Sequence, residues 1–102
     1  MKVTNPINKS LPAMLEQLKA DKIRFERKAE FYDSLWRKLQ DLEEVYDDTM
    51  PDSKWDKLYN LWKVAADRCG KYERIAFDLS TYIESLEYTL QEVNELYEYI
   101  NE

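Results

Sequence analysis

A run of apolar residues spaced alternately by three and four constrains this chain more than any other feature. Starting at Trp55 it reads Trp55, Leu58, Trp62, Ala65, Cys69, Tyr72, Ala76, Leu79, Ile83, Leu86, Leu90, Val93, Tyr97 and Ile100. All fourteen are apolar, whereas a chain that is 44% apolar would place about six there by chance. That spacing is the heptad seam of a helix that buries one stripe along its length. It predicts a helix over 53–101, with Ser53 and Asp56 forming a capping box at its start.

Gly70 is the one challenge to continuity. Arg68-Cys69-Gly70 could be a helix C-cap, which would give a three-helix bundle. Against that reading, Lys71 is not the apolar residue a Schellman motif favours, no capping residue follows promptly, and the heptad phase crosses Gly70 unbroken. A mid-helix glycine costs about 1 kcal/mol relative to alanine, which a long packed seam can absorb.

A second seam precedes the first: Leu11, Leu15, Leu18, Lys22, Phe25, Ala29, Tyr32, Trp36, Leu39, Glu43 and Tyr46, with two polar interruptions. It predicts a helix over 11–48, opened by Ser10 as N-cap and Pro12 in the first turn. Residues 49–52 carry the interior turn signal, since Pro51 pushes Met50 out of the helical region. Residues 1–10 show no period and contain Pro6, and are read as a flexible N-terminal arm, loose unless something docks it. Residues 11–102 then form one helical domain.

The fold expected is all-α, a long antiparallel helical hairpin of coiled-coil type, with residue i of helix one near residue 102 − i of helix two. Charge supports this pairing. Residues 1–40 hold nine basic and five acidic side chains, and residues 75–102 hold seven acidic and none basic. The register sets Lys19, Lys22, Arg24, Arg27 and Lys28 beside Asp78, Glu84 and Glu87. Second apolar rows flank the seams: Leu61, Ile75, Tyr82 and Leu96 on helix two, and Met14, Leu35 and Leu42 on helix one. Two helices alone leave such rows wet, so the sequence predicts that a homodimer completes a four-helix bundle.

The same residues exclude several chemistries. The chain has no His, which removes Ser-His-Asp and Cys-His catalysis and His-containing zinc and iron sites. Cys69, the only cysteine, falls on the seam and reads as a small core residue. The acidic run Asp41, Glu43, Glu44, Asp47, Asp48 and Asp52 lacks EF-hand spacing and a central glycine. Glu44-x-x-Asp47 and Glu84-x-x-Glu87 have the spacing by which all-α nucleotide pyrophosphohydrolases hold Mg²⁺. Their flanking residues do not match, and a chain with 21 acids yields such pairs readily. No catalytic, cofactor or metal residue is assigned. The net charge of −6 argues against direct nucleic-acid binding. No run is long and apolar enough for a membrane span, and no apolar stretch follows Lys2 as in a secretory signal, so the expected compartment is cytoplasmic.

The sequence therefore points to a small acidic non-enzymatic protein acting through protein–protein interaction, as adaptor, assembly factor or inhibitor. Its candidate partner-binding residues are Val93, Leu96, Tyr97, Tyr99 and Ile100, which extend past the start of helix one, and Glu44, Asp47 and Asp48 at the turn end. The N-terminal arm, a second subunit or a foreign partner must cover the first group. The alternative is a nucleic-acid mimic whose carboxylates replace phosphates on a DNA- or RNA-binding protein. A metal-dependent all-α hydrolase is the third reading.

Overall fold

A computed structural model describes residues 2–45 and 51–102. Among these residues are two α-helices and no strand: α1 (Ser10–Val45) and α2 (Asp52–Ile100). The expected last turn of helix one and the turn residues Thr49 and Met50 lie outside the described residues.

Each helix starts on a proline-containing turn. Before α1, the Asn5 side chain accepts from the Ile7 amide at 3.0 Å, an Asx turn around Pro6, and the Leu11 amide then donates to the Ile7 carbonyl at 3.0 Å. Before α2, the Pro51 carbonyl accepts from the amides of Lys54 and Trp55 at 2.9 and 3.0 Å. α2 therefore opens at Asp52, one residue before Ser53, and the Asp52 carboxylate lies at the positive end of the helix dipole. α2 runs through Gly70 without a break, and Gly70 has no positive φ.

Thirteen of the fourteen α2 seam positions are buried or half-buried, Ile100 alone being exposed, and so are all ten described seam positions of α1 from Leu11 to Glu43. The chain divides into two compact units, Met1–Ile23 with Ala76–Glu102, and Arg24–Ile75.

In the first unit the helices run antiparallel: Lys19 reaches Glu87 at 3.6 Å while Val3, sixteen residues earlier, reaches Asn101. Leu11, Leu15 and Ile83 form its core, with Ile7, Leu18, Leu86 and Leu90 packed around them. Among the described residues of the second unit Ala29, Ala65 and Cys69 are the buried positions, all with small side chains. Rings flank them. Phe25 and Tyr32 each stack on Tyr72, with centroids 5.9 and 5.7 Å apart, and Trp36 meets Trp62 at 6.2 Å. Facing residue numbers sum to between 97 for Phe25–Tyr72 and 106 for Lys19–Glu87, so each unit keeps the register near 102.

Lys19–Glu87 is one of the expected charge pairs, and Arg24 and Lys28 also lie over the Phe25 ring at 5.1 and 5.5 Å. Arg68 covers Tyr32 at 5.6 Å and donates to its hydroxyl at 3.4 Å. A ring face offers a cation about as much as an exposed carboxylate does, roughly 0.5–1 kcal/mol.

The core is thin: among the described residues no side chain is wholly buried.

Candidate functional site

The last turns of α2 hold the best-defined polar contacts in the first unit. Heptad spacing aligns Glu87, Asn94 and Asn101 along one edge of the seam, and each takes a partner from the opposing segment. Glu87 pairs with Lys19, Asn94 accepts from the Asn5 side-chain amide, and Asn101 binds the backbone of Val3. The Asn101 amide uses both ends. Its Oδ1 accepts from the Val3 N–H at 2.7 Å, and its Nδ2 donates to the Val3 carbonyl at 2.9 Å. A primary amide is the side chain that can satisfy one residue's donor and acceptor together, as a neighbouring strand would.

Asn5 is the buried polar residue of this end, 7% exposed. Its Nδ2 donates to Asn94 Oδ1 and to Asn8 Oδ1, the latter at 3.3 Å, and its Oδ1 accepts from the Ile7 amide. A buried amide without these partners would lose about 1–3 kcal/mol of solvation, so the network fixes where residues 3–8 run. Between this segment and α2 lies an open groove of about 770 Å³ lined by Val3, Asn5, Asn94, Tyr97 and Asn101 among others.

The structure divides the candidate partner residues. Val93 and Tyr97 are half-buried, and Tyr97 lines the groove. Leu96, Tyr99 and Ile100 are 54%, 74% and 48% exposed. Glu44 is exposed on the last turn of α1, and Asp47 and Asp48 lie outside the described residues. Beside Glu44, the Glu43 Oε2 is buried without a hydrogen-bond partner among the described residues, as is the Trp62 Nε1 in the same unit. Asn5, Asn94 and Asn101 were not among the residues singled out by sequence. Their signals were present: an Asn-Pro turn at 5–6, and two asparagines seven apart at the margin of an apolar seam.

Cys69 is 5% exposed, and burial, followed by a 3.4 Å hydrogen bond to the Glu73 carboxylate, pushes its thiol up to about 11. A thiol held protonated is a poor nucleophile and a poor metal ligand. Among the described residues, no three acidic or cysteine side chains gather to hold a metal ion, and no helix is long and apolar enough to cross a membrane.

Compared with protein-family models, curated proteins and solved structures, the chain has no significant match.

Proposed function

We propose that this is a non-enzymatic interaction protein whose two helices present an apolar flank for a second copy of the chain, and whose ends then dock another protein. The supporting observation is the exposure of five of the seven residues of the second apolar rows, Leu35 and Ile75 being half-buried. Leu42 and Leu61 in the second unit, and Met14, Tyr82 and Leu96 in the first, stand beside the seam with about half their surface in water. Heptad position puts the α1 and α2 rows on the same side of an antiparallel pair. Within each unit, large apolar residues exposed beside the seam gain by being covered, and a matching pair of helices is the simplest cover. The dimer so formed is a four-helix bundle.

The test is substitution within the rows. Leu61→Glu and Tyr82→Glu each place a charge at a position already exposed within the chain. Under this reading they lower the dimer population at micromolar concentration and leave helix content unchanged. Wild-type behaviour in both variants contradicts it.

A second reading, mimicry of nucleic acid, draws on one observation: all seven carboxylates between residues 78 and 102 are exposed, with no basic residue among them. The readings separate by salt. Affinity for a basic partner that falls steeply between about 50 and 200 mM salt supports mimicry, and near-constant affinity supports apolar docking.

A further inference from the structure

Asn94 and Asn101 hold residues 3–5 of the same chain. Residues 3–8 meet α2 through two kinds of recognition. Asn101 reads only the Val3 backbone, while Asn94 reads the Asn5 side chain. Two- to three-point backbone pairing with one side chain seated in a pocket is how extended peptides are bound along sheet edges. Here a side-chain amide on a helix supplies the backbone pairing. Nearly a hundred residues of sequence separate the paired groups, so the contact is tertiary and not a continuation of either helix.

We propose that the last turns of α2 carry a binding site for an extended peptide with an Asn-Pro turn, and that residues 3–8 are its resident, displaceable ligand. The segment then acts as a strap beside Tyr97, with which it lines the groove, and its release opens that part of the docking end. This deepens the interaction reading above and rests on it only in taking that end as a docking surface.

Three features make the strap separable from the fold. Its backbone contact to Asn101 is solvent-exposed on both sides. Val3, Thr4, Pro6 and Asn8 are exposed, Asn5 is buried and Ile7 is half-buried. Ile7 packs against the Leu11, Leu15 and Ile83 core and anchors the far end of the segment, while the contacts that hold residues 3–5 lie outside that core. A short tether supplies its own ligand at an effective concentration in the millimolar range, so a free peptide binds well only when the strap is opened.

The experiment uses the full chain with Val3→Pro and Asn5→Ala together. The first change removes the N–H that Asn101 accepts from, the second removes the buried amide, and Asn94 and Asn101 stay intact. The probe is a capped peptide with the sequence of residues 2–8, followed through the NMR signals of the Asn101 side-chain amide. The expected result is saturable binding to the opened chain, at least tenfold weaker binding to wild type, and none to an opened chain that also carries Asn101→Ala. No binding to the opened chain while its circular dichroism matches wild type overturns the proposal. So does equal binding to the opened and wild-type chains, or loss of α2 structure on opening, which would make residues 3–8 part of the fold. None of these measurements needs a foreign partner, so the strap can fail while the interaction reading stands, and the reverse.

Discussion

Asn101 holds Val3 by both of its backbone polar groups, N–H to Oδ1 at 2.7 Å and carbonyl to Nδ2 at 2.9 Å. A side chain just past the end of α2 thereby fixes the backbone of Val3. Replacing Asn101 by Ala removes both bonds at an exposed site, where each contributes about 0.5–1 kcal/mol. Hydrogen exchange at the Val3 amide should accelerate several-fold, and the unfolding midpoint should move little.

Asn5→Ala should cost more than Asn101→Ala. The Asn5 amide is buried and bonded on three sides, and its loss leaves the Asn94 carbonyl oxygen and the Ile7 N–H without their partners. A destabilisation of about 1–2 kcal/mol in denaturant unfolding is expected. An effect no larger than that of Asn101→Ala would count against the network.

Gly70→Ala should stabilise the protein by about 0.5–1 kcal/mol. The helix passes through Gly70 without positive φ, and a Cβ built there meets nothing within 4 Å. A lower melting temperature for the variant would mean that the helix needs a glycine conformation at that point.

The seams were readable because burial along a helix follows a fixed period, and thirteen of the fourteen positions from Trp55 to Ile100 meet it. Ile100 departs, with 48% of its surface exposed in the last turn of α2. The pairing of Lys19 with Glu87 was readable from opposite charge and register. The placement of Lys28 over Phe25 was not, since a cation near a seam can turn to an acid or to a ring and composition does not choose between them. The docking of residues 3–8 was hidden for a related reason. It rests on three asparagine amides rather than on a period, and a single Asn-Pro turn carries little information about what lies opposite.

Cys69 gives a pH-dependent test. The fold holds its thiol protonated up to about 11, against 9.0 for an ordinary thiol, so the unfolded chain ionises first. In that window the unfolded state binds fewer protons, and stability falls as pH rises. The stability difference between wild type and Cys69→Ala should hold steady below pH 9 and shift against wild type between 9 and 11. Alkylation of the native thiol at pH 8 should be far slower than in denaturant. Equal rates would show that the thiol is neither buried nor protonated.

The central claim is that the two helices leave an apolar flank that a second copy covers. Sedimentation equilibrium at micromolar concentration tests it most directly. The account predicts a species of twice the 12.4 kDa chain mass, dissociating on dilution or on Leu61→Glu. A strict monomer of 12.4 kDa across that range would contradict it.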